Sequence, residues 1–183
     1  MANNVNKLAP PILGIVAYSG TGKTTLLKKL IPVLVQQGIR VGLIKHTHHL
    51  MDVDTPGKDS YELRKAGAQQ TLVASAERWA LMTETPRQQE PNLRYLASRM
   101  DSGKLDLILV EGFKQEAIPK ILLYRAATGY PFNGLTDSHT LAVASDDHQN
   151  TALPQLDIDD TGQIAVFITA WLAQQCKKPQ SCD

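Results

Sequence analysis

The segment Ala17-Tyr18-Ser19-Gly20-Thr21-Gly22-Lys23-Thr24 gathers two glycines, a lysine and several hydroxyls, a set suited to holding a polyphosphate. Its spacing is that of a Walker A loop with Ala17 in place of the usual first glycine. Gly20 and Gly22 let the backbone curl until several N–H groups point inward at phosphate oxygens. Lys23 brings positive charge to the β- and γ-phosphates, and the Thr24 hydroxyl is a hard oxygen ligand for Mg²⁺. Ser19, Thr21 and Thr25 complete the loop, and the helix that follows turns the positive end of its dipole toward the same anion. Alanine serves at position 17 provided that φ there is negative.

A second constellation closes an apolar run, Asp106-Leu-Ile-Leu-Val-Glu111-Gly112-Phe113-Lys114. In phosphate-loop folds an acid at such a strand end faces the metal, directly or through water, and positions the attacking water. Glu111 and Lys23 are therefore the catalytic candidates, and Gly112 would let the chain pass close to the terminal phosphate. A third segment, Lys45-His46-Thr47-His48-His49, leads through Asp52 and Asp54 to Gly57-Lys58-Asp59-Ser60. It reads as a switch loop, with Asp59 near the Mg²⁺ shell and Lys45, His46 and Lys58 facing an anionic ligand. The metal ligands expected on this reading are Thr24, Asp59 and Glu111. Three histidines and three carboxylates so close also raise a zinc or nickel site. No pair among them has the helical i,i+4 spacing of a preformed zinc site, however, and a solvated polar loop is the plain alternative.

Base recognition is less marked. A guanine site presents a carboxylate to the N1 and N2 hydrogens, but the Asn/Thr-Lys-x-Asp sequence that commonly supplies it is absent. The nearest substitute is Val143-Ala144-Ser145-Asp146, where Asp146 has the right chemistry. Chemistry alone leaves guanine and adenine open.

These residues need elements to hold them. Residues 12–17 form an apolar run suited to a strand buried on both faces. A helix follows over about 23–37, with Leu26, Leu30 and Leu34 in one i,i+4 row and Leu27, Ile31 and Val35 in another. Pro32 should kink that helix or slacken a turn, and Gly38 fits its left-handed exit. Further strands are expected at 41–45, 105–110, 120–124 and 141–144, and helices at about 60–66, 91–100 and 162–175. Residues 71–74 and 79–83 are expected to pair as a hairpin across Ala76-Glu77, and 128–139 to form a loop. The alternation predicts an α/β chain: a three-layer P-loop NTPase fold with a largely parallel sheet and an added β-hairpin. Residues 1–11 read as a flexible lead, 12–175 as a single nucleotide-binding domain and 176–183 as a flexible tail.

Composition narrows the function classes. The chain has 183 residues, 43% hydrophobic and 20% charged, and a formal charge of +1. That charge gives no electrostatic case for nucleic acid or anionic lipid, and no apolar run reaches the length of a membrane span or signal peptide. Cys176 and Cys182 are the only cysteines. They read as a redox or metal pair or, in preference, since spacing alone carries little weight, as two incidental thiols in a tail, which suits the reducing cytoplasm.

Taken together, Ser19–Thr25, Lys45-His46, Pro56-Gly-Lys-Asp-Ser60, Arg64-Lys-Ala-Gly-Ala68 and Leu107-Ile-Leu-Val-Glu-Gly-Phe-Lys114 carry a resemblance. The sequence resembles the molybdopterin-guanine dinucleotide biosynthesis protein B (MobB) family from Ile12 to the last helix. The phosphate loop is shared by many families, whereas the Gly-Lys-Asp-Ser and Val-Glu-Gly-Phe-Lys pieces in this order are more specific. The resemblance implies a GTP-binding protein of the class that includes signal-recognition and nickel-insertion GTPases, with weak GTPase activity, and a homodimer. It also implies an adapter that assists a separate molybdopterin guanylyltransferase. The positions it carries over are the phosphate loop, Gly57–Ser60 and Glu111; Asp146 rests on the chemistry of its side chain alone. The hairpin with Trp79, Leu81 and Met82 is a dimer candidate or an ordinary sheet cover. Other uses of the same loop are a small-molecule kinase and a metallochaperone GTPase. The first lacks an arginine-rich lid, since the seven arginines are scattered, and the second rests only on His46, His48 and His49.

Overall fold

The computed structural model describes residues 9–47, 51–85 and 90–175. Contacts gather them into two compact units, the first made of residues up to 46 and from 92 onward, the second of residues 47–91.

In the first unit, β1 (Ile12–Val16) lies inside a six-stranded sheet with β2 (Val41–Lys45), β5 (Leu107–Glu111), β6 (Lys120–Tyr124), β7 (Thr140–Ser145) and β8 (Gln155–Asp157). The strand order is β2-β5-β1-β6-β7-β8, and every pairing is parallel. Parallel strands need crossovers, which is why the sheet faces are clothed and its central strands β5, β1 and β6 are apolar except for Glu111 at the end of β5 and Lys120 at the start of β6. Leu13, Ile15, Leu107, Leu109, Ile121 and Leu123 point to one face, under α1 (Lys23–Gln36) and α4 (Thr161–Gln175). Ile44, Ile108 and Val110 point to the other, under Leu93 of α3 (Leu93–Ser98) and Phe113 and Ile118 of the loop after β5. Period-2 alternation thus sends neighbouring residues of one strand into two different cores.

Helix α1 runs on through Pro32 and exits at Gly38, whose φ is 82°. Its apolar face is narrower than the two expected rows. Leu26, Leu27, Leu30 and Leu34 are buried, but Val35 is 54% exposed. Each i+4 step drifts about 40° around the helix, so the second row leaves the sheet by its last member. Strand β5 starts two residues later than expected, because the Asp106 carboxylate is held by the backbone N–H and guanidinium of Arg40. The short β8 has no strong pattern of its own; parallel pairing of Gln155, Leu156 and Asp157 with β7 makes it a strand. Residues 128–139 are largely loop, as expected, apart from a 3-10 turn at Phe132–Leu135.

The second unit holds α2 (Asp59–Lys65), β3 (Gln70–Ala74) and β4 (Trp79–Thr83). β3 and β4 pair antiparallel, Leu72 opposite Leu81 and Ala74 opposite Trp79. The Ser75 hydroxyl closes the turn, donating to the Arg78 carbonyl and accepting from the Glu77 and Arg78 N–H groups. Arg64 is buried beneath three carboxylates, donating to Asp52, Asp54 and Glu84. Among the described residues no helix is long and apolar enough to cross a membrane.

Candidate phosphate-binding site

β1 ends at Val16, and the chain turns through Ala17–Gly22 into α1 at the C-terminal edge of the sheet. Ligands of open α/β sheets bind at this edge, where the strand order reverses. Gly20 and Gly22 take φ of 79° and 96°, and a Cβ at either would meet nothing within 4 Å. Ala17 is buried, and no described residue other than glycine has positive φ, which meets the condition for alanine there. The Thr21 hydroxyl donates to the Tyr18 carbonyl at 3.0 Å, fastening the loop to itself. Ser19, Thr24 and Thr25 are exposed. The first turn of α1 contains no acidic side chain, so no carboxylate competes for its N–H groups.

The Lys23 ammonium donates to the carbonyls of Ala17 at 3.2 Å and Tyr18 at 2.9 Å. Burial lowers its pKa below the usual lysine value; Lys114 and Lys45 push the same way, and Glu111 opposes them. Two other ammonium groups and one carboxylate thus act on a half-buried amine, a net positive setting that a polyanion relieves.

Glu111 and Lys45 end adjacent strands in register, with Lys45 Nζ 3.6 Å from Glu111 Oε2. The glutamate is only 8% exposed and pairs on its other side with Ile15 of β1, the strand that feeds the phosphate loop. The His46 N–H donates to the Glu111 carbonyl at 2.8 Å, and its ring stacks on Phe113 at 4.8 Å. Gly112 bends away at a φ of 109°. The exposed Thr24 hydroxyl and the Glu111 carboxylate are oxygen donors suited to Mg²⁺, and the open glycine loop ahead of an acid-free helix start suits a polyphosphate.

On the α1 side of the loop opens a cavity of about 240 Å³. Gly20, Gly22, Thr25 and Lys29 form one wall, and Arg125, Ile158, Asp159 and Thr161 the other. Asp146, at the end of β7, accepts the Ala126 N–H at 3.0 Å and lies 3.8 Å from Arg125, which also grips Asp159. Lys29, Arg125 and Asp159 are not among the candidates that the sequence offers, and Lys114 appears there only as the last residue of the Val-Glu-Gly-Phe-Lys piece, with no role of its own. The first three sit in no motif; only the strand order brings the end of β8 beside the phosphate loop.

Gly57, Lys58, Asp59 and Ser60 fall in the second unit, where Gly57 has a φ of 81° and Asp59 and Ser60 open α2. The sequence reading began that helix one residue later. His48, His49, Cys176 and Cys182 lie outside the described residues. Among the described residues no group of three or more His, Cys, Asp or Glu is placed to hold a metal ion.

Comparison with known proteins adds a further finding. The family model of molybdopterin guanine dinucleotide synthesis protein B matches residues 12–146. The molybdopterin-guanine dinucleotide biosynthesis adapter protein of Escherichia coli K12 is 62% identical over 166 residues, covering 90% of this chain and 95% of that protein. The protein of the same name from Haemophilus influenzae is 52% identical, covering 88% and 89%. Among solved structures, a molybdopterin-guanine biosynthesis protein B superposes with a TM-score of 0.71 at 26% identity, covering 88% of this chain and 99% of the other. Bacillus subtilis MobB gives 0.69 at 27% identity, covering 88% and 97%.

Proposed function

The chain belongs to the molybdopterin guanine dinucleotide synthesis protein B family, and from that premise we propose that it is a GTP-binding adapter with weak GTPase activity. Its partner on this reading is a separate guanylyltransferase of molybdenum cofactor synthesis, and its setting the cytoplasm. The observation that carries the nucleotide part is the glycine loop itself: open at Gly20 and Gly22, with Lys23 beside the Lys45–Glu111 pair.

Binding then proceeds by exchange. Lys23 leaves the Ala17 and Tyr18 carbonyls for the β- and γ-phosphates, and the N–H groups of residues 19–25 take the remaining oxygens. Thr24 and Glu111 would hold Mg²⁺ directly or through its water shell, and the ion would supply charge neutralisation at the phosphate oxygens. Glu111 accepts a hydrogen bond from the attacking water and orients it, while Lys45 at 3.6 Å keeps its carboxylate aimed. His46 and Gly112 complete the phosphate surroundings within the first unit. The nucleoside extends into the cavity between α1 and Arg125, where Asp146 and Asp159 flank the guanidinium. No arginine lies beside Glu111 in the sequence, which accords with slow turnover.

The homodimer is assigned to the hairpin of the second unit, whose Leu72, Trp79 and Leu81 are exposed. An apolar strand pair of this kind invites a partner. The decisive experiment is competition of GTP against ATP for the purified chain, with and without the guanylyltransferase. Preference for GTP, and an effect of the partner on it, supports the reading; equal binding of both nucleotides, indifferent to the partner, defeats it.

A further inference from the structure

We infer that Lys114 is a ligand of the terminal phosphate, a second ammonium brought to the loop by the turn after Glu111. The inference rests on the nucleotide-binding reading above and adds to it a residue that discriminates a triphosphate from a diphosphate.

The turn that carries Lys114 is held at each of its residues. Gly112 turns against His46, Phe113 is buried with its ring on the same histidine, and the Lys114 N–H donates to the Gly112 carbonyl at 2.8 Å. The Lys114 carbonyl in turn accepts from Lys120 at 3.1 Å. Lys120 is fully buried on β6 and also donates to the Glu116 carbonyl at 2.9 Å and to Asp137 at 2.7 Å. A lysine with no solvent contact must have every donor engaged, so it fixes what it touches. The Lys114 main chain is therefore clamped while its side chain stays exposed.

That side chain goes to the phosphate loop. Lys114 Nζ stands 5.6 Å from the centroid of the Tyr18 ring, within the range of a cation–π contact. Tyr18 belongs to the loop, and its ring is itself stacked on Tyr130 at 4.3 Å and 11°. Lys23 donates to the Tyr18 carbonyl at 2.9 Å, so both ammonium groups gather at one residue of the loop. Lys45 stands 3.6 Å from Glu111 at the end of β5, the strand that the Lys114 turn follows. Three like charges held together repel, and the groups that relieve them are phosphate oxygens.

The side of approach selects which phosphate. The nucleoside cavity lies toward Lys29 and Arg125, whereas Lys114 follows the β5 end, where the acid of such folds meets the metal and terminal phosphate. Lys114 therefore meets the end of the polyphosphate that GDP lacks.

The test is equilibrium binding by the full chain, in Mg²⁺, of GDP and of the non-hydrolysable β,γ-imido analogue of GTP. Lys114→Gln should lose about tenfold in affinity for the analogue while its affinity for GDP changes less than about twofold, and Lys114→Arg should retain most of both. Equal weakening of both nucleotides would mean a structural role for Lys114 and would overturn the inference, as would no change in either. A wild-type chain that binds neither nucleotide overturns the underlying reading and the inference with it. Wild-type binding with an unaltered preference in Lys114→Gln overturns the inference alone.

Discussion

Gly112 and His46 approach so closely that a Cβ on residue 112 would stand 2.9 Å from both the His46 Cβ and the His46 carbonyl oxygen. The φ of 109° at Gly112 already disfavours any L side chain, so two independent constraints select glycine here. Gly112→Ala must therefore push His46 aside or rotate the peptide that carries Glu111. We expect a loss of about 1–3 kcal/mol in stability, with GTP hydrolysis reduced more than GTP binding. Thermal unfolding and single-turnover hydrolysis on the same preparation check both parts; unchanged stability would refute the steric argument.

Lys23→Ala should remove a charge-assisted contact of about 1.5–3 kcal/mol and weaken GTP roughly ten- to a hundredfold. Thr24→Ala should instead flatten the dependence of binding on Mg²⁺ concentration. Titrations with and without EDTA separate the two effects. GTP affinity untouched by Lys23→Ala would remove the phosphate-loop assignment.

Asp146 and Asp159 share Arg125, but only Asp159 lines the cavity beside the phosphate loop. Both oxygens of Asp159 accept from Arg125 at the cavity wall, whereas Asp146 holds the Ala126 N–H away from it. Asp159→Asn should accordingly reduce discrimination of GTP from ATP by about tenfold, whereas Asp146→Asn should loosen the turn at Ala126 with a smaller effect on discrimination. Competition binding of the two nucleotides against each variant decides which carboxylate reads the base.

In the second unit the Asp54 carboxyl is held below its ordinary value of 3.8, first by its hydrogen bonds from Arg64, against the opposing effect of burial. A carboxylate whose pKa is depressed by folding stabilises the folded state fully above its unfolded pKa. It gives that stability up as pH falls through the folded value. The contribution is therefore complete at neutral pH and disappears below about pH 4. Asp54→Asn should lower the unfolding temperature at pH 7 and make it less sensitive to acid between about pH 4 and 2. Parallel acid dependences for the variant and the wild type would show that the Arg64 cluster does not govern this transition.

Lys120→Met should cost on the order of 1–3 kcal/mol, because the Lys114 and Glu116 carbonyls and Asp137 lose their shared donor. Chemical denaturation measures it. A neutral result would indicate that water replaces the ammonium.

The parts of the fold that the sequence made legible are those with a local cause. Strands β2, β4 and β6 fall where their apolar runs lie, and the turn of the hairpin falls where Ala76-Glu77 interrupts two such runs. The place of Glu111 was legible because the apolar run Leu107–Val110 leads straight up to it and ends the buried strand there. What escaped has a non-local cause. β8 exists through pairing with β7, and Arg125 and Asp159 become neighbours of Thr25 only once that strand order is known. Lys114 stood in view beside Glu111, yet its direction depends on Lys120, six residues on, and on a tyrosine nearly a hundred residues earlier. Val35 erred the other way: it has the right period and the wrong angular position.

The bonds from Lys23 to the Ala17 and Tyr18 carbonyls have a kinetic corollary. With its amine tethered by residues of the same loop, the receptor reaches its working shape before any guest arrives. Capture then swaps one set of acceptors for another without first having to organise a floppy segment. Association should consequently run close to the encounter rate, and differences among guests should show up chiefly in how long each one stays.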